Sequence, residues 1–298
     1  MADDFKKNEY SSEVEKLRKE NLLLEKIIQQ KDEQISLYKE ELIKFSHQLD
    51  TVMIQINSDV DMLKRIQKVL APADLPQIPG FEFSKKFVFG TRFGGDYFDI
   101  FEHEDKMKFG ILMSSSSGYA MSALFLSLIM KVSHLIEAKK GLSPDQVLLR
   151  LSEELKTTAN ANDQTDVFYG VVDRRDFKLS FCSAGMILGI LQEPGQAMRL
   201  LKSENQGLSS QPLNEVKPAV IDLQSNMRLS LVSKGVIDAL GYDNLCEMVS
   251  QLPMQLHVHD VRNEILFQCQ QKSGLEHPLR DQTVVVMEVK DRVIKLAK

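Results

Sequence analysis

The chain of 298 residues has no tryptophan, and its only cysteines are Cys182, Cys246 and Cys269. Thiols so few and so far apart exclude a disulfide framework and a cysteine zinc cluster. No apolar run reaches the roughly 18 to 20 residues needed to span a bilayer, and the polar residues 1–16 lack the apolar core of a secretory signal. Charge of one sign is missing too. Lys plus Arg number 37 against 42 Asp plus Glu, a net charge of -5, so no global field steers the chain onto nucleic acid or anionic lipid. Neither a Gly-x-x-x-x-Gly-Lys phosphate loop nor a Ser-His-Asp or Cys-His spacing occurs. These absences leave a cytoplasmic, globular protein as the expectation.

Glycine and proline are also absent from Val14 to Leu70, where a heptad pattern runs unbroken. Its a positions include Asn21, Ile28, Ile35, Leu42, Leu49 and Ile56. Its d positions include Leu17, Leu24, Tyr38, Phe45 and Val52, with Lys31 and Asp59 interrupting. Such a stripe faces a partner helix wound at 3.5 residues per turn. The expectation is a parallel homodimer whose seam contains Asn21, Leu24, Ile28, Ile35, Leu42, Leu49 and Ile56. A buried Asn at an a position is best satisfied across two parallel strands. The alternative is a helix that folds back on its own domain. Pro72, Pro76, Pro79 and Gly80 end the rod. The expected organisation is a disordered N-terminus (1–11), a coiled coil (12–70), a Pro-rich linker (71–80), a globular domain (81–292) and a tail (293–298).

In the globular part, strand patterns cover Phe81–Phe89, Lys108–Met113, Asp166–Val172, Lys178–Ser183, Met186–Gln192, Ala219–Leu223, Arg228–Ser233 and Gln282–Lys290. Helical patterns cover Ser122–Lys140, Pro144–Ala161, Tyr242–Gln251 and Val258–Lys272, with a turn at Phe93–Asp96. Consecutive helices among many strands fit an α+β class with sheets covered by helices.

The stretch from Gln67 to Gly80, followed by Gly94-Gly-Asp96-Tyr-Phe-Asp99, resembles the PPM-type serine/threonine phosphatases in their bacterial SpoIIE/RsbU-like branch. The likeness continues through Gly118–Leu126, Phe168–Asp173, Ser183-Ala-Gly185, Ser233-Lys-Gly-Val236 and Asp281-Gln-Thr283. The resemblance implies an α-β-β-α sandwich of two stacked antiparallel sheets, here preceded by a long coiled-coil helix. It also implies removal of phosphate from phosphoserine or phosphothreonine in partner-switching pathways, by means of two magnesium or manganese ions held by Asp carboxylates. Paired dications activate a bridging water and neutralise phosphate charge.

At the four ligand positions of that family this chain reads Asp96, Ser115, Lys234 and Arg280. Ser115 is neutral, and Lys234 and Arg280 place cations where carboxylates coordinate. A slip of one residue would bring Asp281 into the site instead of Arg280. The expectation is that the metal site is lost and no cofactor is bound. Asp96, Asp99 and Asp281 would then remain as a vestigial acidic site, with Lys234 and Arg280 as their ion-pair partners or as ligands for a phosphate. The functional expectation is a pseudophosphatase, a dimeric scaffold or regulator of a protein partner resembling an anti-sigma-factor-antagonist phosphoprotein. The alternatives are a metal-dependent phosphatase with an atypical site and a structural coiled-coil protein.

Plainer roles compete for several of these residues. Asp96 also fits a turn cap, Ser114–Ser117 fit capping and turn chemistry, and Cys182 fits a core strand. His257 and His259 read as surface histidines with no carboxylate pair nearby in sequence.

Overall fold

The computed structural model describes residues 2–70, 75–91, 95–117, 141–159, 163–203, 205–274 and 277–290. The expected helix Ser122–Lys140, Gly94, Gly118–Ala120, part of the linker and the tail lie outside the described residues. The chain divides into two compact units, residues 1–61 and 62–298.

Helix α1 spans Ala2–Leu70. Residues 2–11 are therefore helical rather than irregular, as the lack of Gly and Pro and the acidic first turn allow. The C-terminal end of the helix groups with the second unit, so the boundary falls before the Pro-rich linker. Within the first unit the heptad-position residues Leu17, Leu24, Ile28, Ile35, Leu42, Leu49 and Ile56 are between 49% and 67% exposed in the single chain. The side chains of Val14, Asp59, Leu63, Ile66 and Leu70 lie outside the description.

The described residues of the second unit form ten strands: β1 Phe81–Val88, β2 Asp96–Glu102, β3 Lys108–Ser116, β4 Thr165–Asp173, β5 Lys178–Ala184, β6 Leu188–Gln192, β7 Arg199–Leu201, β8 Ala219–Asp222, β9 Arg228–Val232 and β10 Gln282–Val289. They form two five-stranded sheets in the orders β1-β10-β9-β6-β7 and β2-β3-β4-β5-β8, with every pairing antiparallel. Helix α2 (Pro144–Thr158) covers the second sheet. Helices α3 (Lys234–Leu240), α4 (Tyr242–Gln251) and α5 (Val258–Ser273) cover the first. This is the α-β-β-α sandwich that the resemblance implies.

Alternation along the strands builds the layers. Phe98, Ile100, Ile111, Met113 and Phe168 meet Leu229, Leu231, Val285 and Met287 between the sheets. The alternate residues Val284 and Val286 turn outward to α3, α4 and α5, which is why β10 is apolar on both faces. On the other side Tyr97, Leu112 and Tyr169 pack on Val147, Leu148 and Leu151 of α2. Pro144 sits in the first turn of α2, and the Ser143 N–H donates to Gln146 Oε1 at 3.3 Å.

β2, β7 and α3 stand where the sequence pattern gives a turn or nothing. The serine run is also corrected, because Ser114–Ser116 close strand β3 rather than forming a turn. Ser117 follows them, its hydroxyl donating to the Gln164 carbonyl at 2.9 Å. His257 and His259 are exposed, as expected, but each has a partner on β1. His257 Nε2 lies 2.6 Å from Glu82 Oε1, and His259 Nδ1 lies 2.7 Å from Ser84 Oγ. Glu82 is remote in sequence, so the pattern gives no sign of it.

Candidate functional site

Antiparallel register assembles the site at one end of the sandwich. Asp96 opposes Ser115 across β2 and β3, and Ser115 opposes Asp166 across β3 and β4. Directly opposed residues share a face, so the three form a row along the inner face of the second sheet. From the first sheet, Thr283 of β10 reaches across to the same row.

Asp96 is buried, and hydroxyls hold it. Ser115 Oγ donates to Oδ1 at 2.6 Å, and Thr283 Oγ1 donates to Oδ2 at 2.7 Å. Burial, and then the nearby charge of Asp281, push its pKa up to about 7 against the pull of the Ser115, Ser233 and Thr283 hydroxyls. Both oxygens of Asp96 thus have a neighbouring hydroxyl as a hydrogen-bond partner.

Asp281 is also buried, and its oxygens take backbone donors. The Gly90 N–H reaches Oδ1 at 2.7 Å, and the Gly95 and Asp96 N–H groups reach Oδ2 at 2.9 and 3.4 Å. It thereby ties the β1–β2 connection to β10 and fixes the backbone that carries Asp96. Of the neighbours Arg280 and Asp281, the carboxylate is the one placed beside Asp96.

Asp99 does not join them. It lies on the opposite face of β2, where Tyr97 Oη donates to Asp99 Oδ2 at 3.1 Å on the α2 side. A spacing of three along a strand puts residues on opposite faces, so the grouping of Asp99 with Asp96 and Asp281 does not match the geometry.

Lys234 and Arg280 come together, but around a residue the sequence reading missed. Lys234 Nζ is 2.7 Å from Asp238 Oδ1, and Arg280 Nε is 3.2 Å from Asp238 Oδ2. The expected neutralisation of Asp96 and Asp99 by these cations is thus corrected: both reach Asp238, one helical turn along α3. Gly235 explains the proximity, since a Cβ there would lie 2.0 Å from the Asp281 carbonyl oxygen and 3.2 Å from Arg280 Cβ. Only glycine lets the start of α3 rest on residues 280–281.

Asp166 is a second residue that the sequence reading passed over. Burial raises its pKa, while a hydrogen bond from Gln164 Nε2 at 2.8 Å, the Met186 N–H and the charges of Lys234 and Arg280 oppose the shift. A Cβ at Gly185, where φ is +80°, would fall 1.9 Å from Asp166 Oδ1. The Ser183-Ala-Gly185 turn therefore stays bare to admit this carboxylate.

As donors for hard dications, the row and its surroundings offer the buried carboxyls of Asp96 and Asp166, the hydroxyls of Ser115 and Thr283, the Asp281 carboxylate engaged by three N–H groups, and two cationic side chains. Hard dications seek several anionic oxygens at one point. Among the described residues no group of three or more His, Cys, Asp or Glu is arranged to hold a metal ion.

Several solved structures share the fold. The SiaA-PP2C domain of Pseudomonas aeruginosa superposes with a TM-score of 0.66 at 18% identity, covering 80% of this chain and 99% of that one. The RsbU and RsbW domains of Rv1364c from Mycobacterium tuberculosis give 0.63 at 15%, covering 74% of this chain and 63% of that one. The PP2C phosphatase domain of SpoIIE from Bacillus subtilis, with a fragment of its regulatory domain, gives 0.60 at 15%, covering 70% and 63%. The match thus spans under two thirds of the last two chains. No curated protein sequence matches at a significant level. The model of the Stage II sporulation protein E family matches residues 105–290. That span is more than half of the 298 residues, and the chain belongs to the Stage II sporulation protein E (SpoIIE) family.

Proposed function

We propose that this member of the SpoIIE family is a pseudophosphatase, a cytoplasmic, dimeric signalling scaffold or phosphoprotein-binding regulator without two-metal chemistry. The observation that carries this reading is the Ser115 hydroxyl, which donates to Asp96 Oδ1 at 2.6 Å and stands where the resemblance puts the metal-bridging Asp. A neutral donor there supplies no charge and occupies the carboxylate that would coordinate. Lys234 and Arg280 deepen the misfit. A unit cation about 4 Å from a dication is repelled by several kcal/mol even at an effective dielectric near 20. The donor set does not fit two magnesium or manganese ions.

The partner that suits this site is a small regulatory phosphoprotein of the anti-sigma-factor-antagonist type, with Lys234 and Arg280 as candidate phosphate ligands. Fixed cations serve phosphate oxygens well. Dimerisation rests on the exposed heptad face of α1, which would leave a wet apolar stripe on a monomer. Paired Ile35→Glu and Leu42→Glu substitutions should convert a dimer to a monomer in sedimentation. An unchanged mass would count against the coiled coil.

A second reading, a metal-dependent serine/threonine phosphatase with an atypical site, has one observation in its favour. Asp166 brings a carboxylate to the register position beside Ser115. Calorimetric titration with manganese, run beside release of phosphate from a phosphoserine peptide, separates the two. The pseudophosphatase reading expects neither metal binding nor turnover. Turnover that disappears in Asp96→Ala would establish the enzyme.

A further inference from the structure

Lys234 opens α3 and Arg280 precedes β10, yet both side chains converge on the two oxygens of one carboxylate, at 2.7 and 3.2 Å. Their spacing is set by the backbone, because Gly235 packs directly against Asp281 and Arg280. Two cations so held make a clamp of the width of an oxyanion. The clamp opens to solvent: the side chains of Lys234 and Arg280 are 29% and 33% exposed, and that of Asp238 is 40% exposed.

We infer that Lys234 and Arg280 form a clamp for the phosphoryl group of a phosphorylated serine or threonine, and that Asp238 is its built-in occupant, displaced when the phosphoprotein binds. The inference rests on the proposed phosphoprotein-binding role of this site. A carboxylate offers one negative charge and two oxygens, whereas a phosphomonoester offers nearly two charges and three oxygens, so the incoming group is the better ligand. Release of Asp238 is cheap, since ion pairs exposed to this degree are individually weak. The side chain stands on the outer face of α3 and needs only a rotamer change to reach water. Asp166 lies within the field of both cations. Its carboxylate, held by Gln164 and the Met186 N–H, borders the clamp on the side of the Asp96 row.

The test is calorimetric titration of the full chain with N-acetyl-phosphoserine amide, inorganic phosphate and N-acetylserine amide. The proteins are the natural chain, Asp238→Asn, Asp238→Ser and Asp238→Asn combined with Lys234→Gln and Arg280→Gln. Both single variants should bind the phosphoserine compound roughly 10-fold more tightly than the natural chain. The triple variant should lose that binding, and the unphosphorylated compound should not bind. Equal affinity for the natural chain and both Asp238 variants overturns the inference. So does phosphoserine binding that survives loss of both cations, or binding of inorganic phosphate alone. Phosphate release from the same compound with manganese would instead overturn the pseudophosphatase reading, and the affinity ratios would still judge the clamp.

Discussion

Thr283 Oγ1 donates to Asp96 Oδ2 at 2.7 Å, and the bond joins β10 of one sheet to β2 of the other. Beyond this end the two sheets meet across an apolar cluster, so the polar tie, beside the Asp281 bonds to the Gly95 and Asp96 N–H groups, fixes how they close. Thr283→Val keeps the shape and removes the donor, leaving a buried oxygen short of one partner. The expected loss is about 1–3 kcal/mol in urea denaturation. An unchanged midpoint would mean that Ser115 and Ser233 satisfy Asp96 without it.

Asp96 also makes stability depend on pH. Its folded pKa of about 7 lies well above the ordinary aspartate range. The folded state therefore holds a proton that the unfolded chain releases. Stability is fully present below about pH 4 and falls as pH rises through about 7, because the unfolded state binds fewer protons across that window. Asp96→Asn keeps a carbonyl and an amide able to bond the same hydroxyls and has no charge to desolvate. It should flatten this part of the profile and raise the melting temperature at pH 8 more than at pH 5. A steeper fall in the variant would place the proton elsewhere.

The layers of the fold were legible because burial on both faces leaves apolar runs such as Val284–Met287, and α4 begins and ends where its pattern does. β2 was not, since Asp96-Tyr-Phe-Asp-Ile-Phe-Glu102 carries carboxylates on both faces and follows a Gly-Gly turn. α3 was hidden because a helix of 7 residues, N-capped by Ser233, is too short to show a periodic pattern. Once that helix is drawn, Lys234 and Asp238 are an i,i+4 pair that the sequence does contain. The substitution at Ser115 was visible as a motif defect. Its bond to Asp96 was not, because it depends on the β2–β3 register. Asp166 needed a further register, that of β3 with β4, and no local pattern carries such information.

The proposed loss of the metal site predicts that reversing the substitutions brings ion binding back. Ser115→Asp, Lys234→Asp and Arg280→Asp together place four carboxylates, with Asp96, at the positions that the resemblance gives as ligands, with Asp281 still anchoring the turn. Without metal the triple variant should melt lower than the natural chain. The carboxylate introduced by Lys234→Asp repels Asp238 at i,i+4, and the one introduced by Ser115→Asp crowds Asp96. Manganese should raise the variant's melting temperature by several degrees and leave that of the natural chain unchanged, as binding to the native state alone requires. Equal shifts in both proteins would mean that the natural donor set already accepts the ion.

Arg228 is the largest fully buried side chain among the described residues, and it stands on the sheet opposite to that of the carboxylate row. It is fully buried, opposes Glu288 across β9 and β10, and donates Nε and Nη2 to Glu288 Oε2 at 3.2 and 3.1 Å. The same guanidinium donates to the carbonyls of Pro253, Met254 and Leu256, pinning the α4–α5 connection to the sheet. Arg228→Met fills much of the volume but leaves the buried Glu288 carboxylate with Lys290 as its ion-pair partner and strands three carbonyls. Each buried group left without its donor costs about 1–3 kcal/mol, so cooperative unfolding should begin at markedly lower urea. Adding Glu288→Met removes the carboxylate left short of one donor and should recover part of that loss. Recovery stays incomplete, because the carbonyls of the connection still lack their donor. A double variant as stable as the natural chain would show that those three bonds contribute nothing net, and that the arginine is held there by its ion pair alone.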